Sequence, residues 1–202
     1  MNINDMSEEE QITMVSNDPY LIRSINNPPE AIQLAAVNVD GYIIRYLESP
    51  SEAVQLAAMQ EHGSAIMFVK NPSEAVRLAA VTRSGTAIAH IENPSEEIKI
   101  AAVMNDGRVI QYIENPSEAV QLAAVRVAGR PIEFIDDPSE AVQLAAIDTD
   151  WYAIRCIKTP TPAVQLAAIR KNGQAIKYLV NPSEELKAYA GLMQLNQNDS
   201  NW

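Results

Sequence analysis

The 202-residue chain has one cysteine, two histidines, two tryptophans, two phenylalanines and seven glycines, and it has no long apolar run. Each scarcity excludes something. Cys156 stands alone, so no intramolecular disulfide is possible, and a reducing, cytoplasmic location is expected. Two histidines and one thiol cannot assemble a zinc-type ligand set, and no cofactor of any kind is expected. No window approaches the ~18 apolar residues of a membrane span, and Asn2-Ile3-Asn4-Asp5 carries neither a basic nor an apolar leader signal, so no membrane role is expected. A net charge of −11, from 15 bases and 26 acids, works against long-range attraction to nucleic acid or anionic lipid. Walker, dinucleotide, nucleophile-elbow and zinc-protease motifs are all missing, so the chain reads as a non-enzyme.

What is present is a register. Pro28, Pro50, Pro72, Pro94, Pro116, Pro138, Pro160 and Pro182 follow one another every 22 residues without an insertion. One period before Pro28 lies Met6, with Ser7-Glu8 under the Ser-Glu that follows most of the prolines. Nine copies therefore start at residues 6, 28, 50, 72, 94, 116, 138, 160 and 182, and 1–202 reads as one repeat domain. Residues 193–202 form an Asn/Gln-rich tail that either caps the stack or frays. A short fixed period marks a solenoid, because one unit cannot bury its own apolar face.

With proline as slot 1, each copy predicts two short helices. Slot 22 (Asn27, Asn71, Asn93, Asn115, Asp137 and others) suits an N-cap, proline suits N1, and slot-3 glutamates such as Glu52 and Glu74 suit the capping-box position N3. Glycine in slot 14 (Gly41, Gly63, Gly85, Gly107, Gly129, Gly173) suits a left-handed helix end. Slots 5, 7, 8, 9 and 10 are apolar, which predicts a first helix flanked on several sides. Slot 6, mostly glutamine, predicts a polar ladder on the outside. Isoleucine in slot 17 and an aliphatic residue in slot 20 give the second, two-turn helix one apolar face. The expected fold is all-α: an α-solenoid of nine helix-turn-helix repeats forming a curved superhelical rod, roughly 70–90 Å along its contour at ~8–10 Å per layer.

The string Asn-Pro-Ser-Glu-Ala-Val-Gln-Leu-Ala-Ala-Val, with Gly-x-Ala-Ile-x-Tyr-Ile after it, resembles a family of short two-helix repeats of unknown function. It is also similar in plan to leucine-rich-repeat-variant and HEAT-like α-solenoids. That resemblance implies protein or peptide binding and says nothing of a particular activity.

The repeat supplies its own control for candidate chemistry. His90 and Cys156 are variants of slot 19, otherwise mostly aromatic (Tyr46, Phe68, Tyr112, Phe134, Tyr178), and three layers separate them, on the order of 25–30 Å. They form no dyad. His62, in slot 13, reads as a solvated turn residue, and the slot-3 glutamates read as caps rather than a cation site. Slots 11, 12, 13, 15 and 18 vary freely, so specificity is expected there. Slot 15 offers Tyr20, Tyr42, Tyr152, Arg108 and Arg130, and slot 18 offers Arg23, Arg45, Arg155 and Lys177. Tyr and Arg are the residue types that anchor interfaces.

Two local exceptions sharpen the expectation. In the seventh copy Trp151 stands where glycine belongs, beside Tyr152, as an anchor or a repacked turn. The copy from 160 to 181 carries Arg170, Lys171 and Lys177 and no acid, against −3 for the copy from 6 to 27. With Arg126, Arg130 and Arg155, these predict a basic patch in the C-terminal half. The leading expectation is a non-enzymatic adaptor or inhibitor that binds a protein partner through the variable turn and second-helix surface. The alternatives are capture of a phosphorylated or nucleotide ligand by the basic copies, and an acidic imitation of nucleic acid.

Overall fold

A computed structural model describes residues 2–199. It groups them into two compact units, one ending at Asn105 and the other beginning at Asp106. In the first, α1 (Glu8–Asn17), α2 (Glu30–Val37), α3 (Glu52–Glu61), α4 (Glu74–Arg83) and α5 (Glu96–Asn105) alternate with 3₁₀ helices at Pro19–Ser24, Gly41–Tyr46, Gly63–Phe68 and Gly85–His90. A 3₁₀ turn at Ile3–Asp5 precedes α1. In the second, 3₁₀ helices at Gly107–Tyr112, Arg130–Phe134, Trp151–Cys156 and Gly173–Tyr178 alternate with α6 (Glu118–Val127), α7 (Glu140–Thr149), α8 (Pro162–Lys171) and α9 (Glu184–Asp199). There is no strand among the described residues. Within each unit neighbouring α-helices pack side by side, and every 3₁₀ helix after the unit's first packs on the α-helices before and after it. This is the all-α, α-solenoid architecture that the period predicts.

The second helix is 3₁₀, and its slots 14 and 17, with slot 20 just past its end, recur every three residues, slot 16 being buried beside them. Three residues per turn lines them up on one side, which an α-helix does not do as well. Ile44, Ile66, Ile88, Ile110, Ile132 and Ile154 are accordingly buried.

The helix starts differ from expectation by two positions. Slot 22 does not cap. Asn27, Asn71, Asn93, Asn115, Asp137 and Asn181 take left-handed backbone with φ of 46–50°, which Asn and Asp tolerate better than other residues with a Cβ. Proline follows as a turn residue, and the serine of slot 2 is the N-cap: Ser51, Ser73, Ser117 and Ser139 accept the N–H of slot 5. The slot-3 glutamate thus sits at N1, not N3. A full capping box occurs at the start of α1, where Glu10 reaches back to Ser7.

The glycines also act otherwise than predicted. None has positive φ, so none is a left-handed helix end. Slot 14 needs glycine because the next copy presses on it. A Cβ on Gly41 would lie 2.4 Å from the Ala58 carbonyl oxygen, and one on Gly63 2.3 Å from that of Ala80. Neither distance is compatible with a side chain.

The core runs along slots 5, 9 and 10. Val76, Ala80 and Val81 are 0% exposed, as are Val120, Ala124 and Val125. Slots 7 and 8, such as Leu78 and Ala79, are only half-buried, so the first helix keeps one apolar side partly open rather than being enclosed. Each large aliphatic side chain fully buried contributes ~1.5–3 kcal/mol. Slot 6 is not an outward ladder: the amides of Gln33, Gln55, Gln121 and Gln165 donate to the slot-1 proline carbonyl at 2.8–3.0 Å and pin each turn to its helix. Arg77 does the same through Nε at 3.0 Å.

In the ninth copy α9 runs on to Asp199, through the slots that begin a 3₁₀ helix in the other copies, and Gln194 donates to the Gly173 carbonyl at 3.0 Å. The tail is therefore helical as far as Asp199, and residues 200–202 lie outside the described part. No described helix is long and apolar enough to cross a membrane.

Candidate functional site

The 3₁₀ helix Trp151–Cys156 is positioned by Asp150, whose carboxylate accepts the Tyr152 N–H at 2.9 Å. That fixes Trp151 and Tyr152 side by side at the head of the turn, with Arg155 one turn later. Trp151 occupies the slot where other copies bring a carbonyl of the following helix too close for a Cβ. A tryptophan fits only where turn and following helix stand further apart, and its indole is half-buried.

Around this turn a connected set of rings and cations assembles. Trp151 meets Tyr152 edge to face at 5.4 Å, and Tyr152 meets Tyr178 of the next copy in the same way at 5.4 Å. Trp151 and Tyr178 lie 6.5 Å apart, tilted. The Arg155 guanidinium lies 4.8 Å from the Tyr152 ring centre and 5.3 Å from that of Tyr178, and one of its N–H groups donates to the Tyr152 hydroxyl. Arg130, from the preceding 3₁₀ helix, lies 5.9 Å from the same Tyr152 ring. Cation–π contacts of this kind contribute ~0.5–1 kcal/mol each at exposed sites. Hydrogen bonding to Tyr152, then partial burial, raises the Tyr178 phenol above its ordinary value, against the opposing pull of Arg155.

Four residues singled out in the sequence therefore meet: Arg130, Trp151, Tyr152 and Arg155. Tyr178 joins them and was missed, because slot 19 reads as a packing position. The signal lay in the period: slots 15 and 18 of one copy face slot 19 of the next. The other basic residues of the expected patch lie on several separate elements. Arg170 and Lys171 lie on the last turn of α8, beside a shallow apolar trough lined by Leu144, Leu166 and Ala167. Lys171 is held there by the Asp148 carboxylate at 2.6 Å, and this holds the Asp148 carboxyl below the usual range. Arg126 lies exposed on the last turn of α6 and Arg108 is exposed at the head of its 3₁₀ helix. Lys177 is exposed beside Tyr178 in the chain.

The other candidates resolve into structure. His62 is a turn residue as expected, but it also reaches back one copy: its Nδ1 accepts the Gly41 N–H at 3.1 Å and its ring stacks on Tyr42 at 4.6 Å. Cys156 is half-buried, and burial, followed by the Glu133 carboxylate, pushes its thiol up. The slot-3 carboxylates accept the serine hydroxyl of the next copy, as Glu52 does from Ser73 and Glu118 from Ser139, both at 2.5 Å. Among the described residues no three His, Cys, Asp or Glu groups gather as a metal site would require.

The chain matches no family model, no curated protein and no solved structure.

Proposed function

We propose that this chain is a non-enzymatic binding module that recognises a protein partner through its 3₁₀ surface, with Trp151, Tyr152, Tyr178, Arg130 and Arg155 as the anchor. Its repeat plan is of the short two-helix and HEAT-like kind, and it acts as an adaptor or inhibitor in a reducing compartment. One observation carries the reading. Arg130 and Arg155 face aromatic rings and form no ion pair among the described residues, although acids outnumber bases 26 to 15 in the chain. A Trp–Tyr–Tyr cluster with Trp151 and Tyr152 half-buried, Tyr178 exposed and two cations free of carboxylates has the composition of an interface centre.

The repeat provides variants that leave the fold intact. Trp151→Gly restores the residue that six other copies carry in slot 14, and Arg155→Ala copies Ala89 in slot 18. Each is expected to cut partner recovery in a quantitative pull-down at least tenfold with the helical circular dichroism unchanged. Undiminished recovery by both refutes the anchor.

A further inference from the structure

The first unit repeats one element of this arrangement with different residues. The Arg23 guanidinium lies 4.9 Å and that of Arg45 4.7 Å from the centre of the single Tyr46 ring. Arg45 also lies 6.0 Å from the Phe68 ring, and Tyr20 meets Tyr46 edge to face at 6.2 Å. Two like charges are thereby gathered on one exposed ring. Neither guanidinium has an ion pair or a hydrogen bond to any described residue, whereas Arg77 and Arg83 each donate to a carbonyl. A guanidinium facing a ring still keeps N–H donors in its own plane, in the fork that takes an oxyanion in bidentate fashion.

Arg23 and Tyr46 also form the wall of a groove of about 740 Å³ between the turn Ile25–Pro28 and the turn Leu47–Ser49. Its floor includes Gln33, whose Nε2 is committed to the Pro28 carbonyl and whose Oε1 is shielded from solvent and has no hydrogen-bond partner. One copy earlier, the chain shows how a polar segment sits on such a turn. The Asn4 amide donates to the Ser24 carbonyl at 2.8 Å and accepts the Asn26 N–H at 2.8 Å. The corresponding groups in the groove, the Tyr46 carbonyl and the Glu48 N–H, bond to no described residue.

We propose that this groove is a second binding site, which takes a phosphorylated serine, threonine or tyrosine of a protein partner, with the phosphate monoester held at its Tyr46 wall by Arg23, which lines the groove, together with Arg45, which lies outside the lining on the same ring. The charges decide the class. Two cations on one ring match a compact group of charge ≈ −1.5 to −2, and a single carboxylate neutralises only one of them. A run of acidic residues is disfavoured, because it spreads its charge along the groove towards Glu48, whereas a phosphate concentrates it at the two guanidinium groups. The flanking peptide backbone supplies the partners for the Tyr46 carbonyl and the Glu48 N–H.

The test is fluorescence anisotropy on the full chain at low salt, with a labelled Gly/Ser peptide bearing one central phosphoserine. The same peptide is also used unphosphorylated and with glutamate at that position. The phosphopeptide is expected to bind at least tenfold more tightly than either. Arg23→Gln and Arg45→Gln, which copy Gln111 in slot 18, are each expected to weaken it at least tenfold, while Trp151→Gly leaves it unchanged. Inorganic phosphate is expected to compete only at concentrations at least tenfold above the peptide. Equal binding of the phospho and glutamate peptides, no binding at millimolar peptide, or indifference to both arginine variants overturns the site. Competition by inorganic phosphate at the peptide's own concentration overturns the protein partner in favour of a free phosphate. Because Trp151 and Arg155 take no part, these outcomes are independent of the anchor in the second unit.

Discussion

The Ser73 hydroxyl donates to the Glu52 carboxylate, 21 positions earlier, at 2.5 Å, while its oxygen accepts the Val76 N–H at 3.3 Å. One side chain thus caps its own helix and ties that helix to the one before. The same link joins Ser95 to Glu74 and Ser139 to Glu118. Ser73→Ala removes the cap and leaves Glu52 without its partner, and caps of this kind contribute ~1 kcal/mol. For a chain of this size, urea or thermal unfolding is expected to show that loss as a fall in Tm of about 2–4 °C.

Two glycines separate close packing from helix propensity. Gly63→Ala drives a Cβ to 2.3 Å from the Ala80 carbonyl oxygen, so the turn and α4 must part. The expected destabilisation is ~1–3 kcal/mol, as in other overpacked sites. Gly191, inside α9, has nothing within 4 Å of the place where a Cβ would stand. Gly191→Ala is expected to stabilise by up to ~1 kcal/mol from helix propensity alone. The pair is read by thermal unfolding as shifts of opposite sign.

Two carboxyls make stability fall in acid. The Ser7 backbone N–H, then its hydroxyl, hold the Glu10 carboxyl below its ordinary value, and the Lys171 ammonium does so for Asp148. A carboxyl lower in the folded state than in the unfolded one binds fewer protons when folded. Its contribution is therefore complete above the unfolded value, near pH 4, and is lost as pH falls through the folded value. Lys171→Met is expected to shrink the acid-induced drop in Tm below pH 4 without changing the part due to Glu10. An unaltered drop contradicts the assignment to Asp148.

Cys156 is expected to alkylate slowly. Burial first, and then the Glu133 carboxylate, raise its thiol above the ordinary range, against the pull of Arg130 and Arg155, so little thiolate is present at pH 7.5. Iodoacetamide labelling followed by mass spectrometry is expected to be slower in the folded chain than in urea, where the difference disappears. Equal rates contradict the burial.

The fold was legible in the prolines and isoleucines, because a period without insertions leaves one stacking arrangement. The local chemistry was less so. Asn at slot 22 suits both an N-cap and a left-handed turn residue, and the following proline gave no sign that slot 2 carries the cap. Glycine at slot 14 suits both a left-handed bend and a close approach, and the deciding atom, the Ala58 or Ala80 carbonyl, belongs to another copy. Tyr178 escaped notice for the same reason: its partners Tyr152 and Arg155 lie one period away. Single-copy rules read caps and faces, and contacts between copies appear only once the repeats are stacked.

The binding surface is tested most directly by photo-crosslinking from two places in the second unit. A benzoylphenylalanine replaces Tyr178 on the 3₁₀ surface in one variant and the exposed Ala163 of α8, which lines the apolar trough beside Leu144, in the other. The partner is expected to be captured from position 178 and not from position 163. Capture from 163 alone places recognition on the α-helical side and contradicts the account.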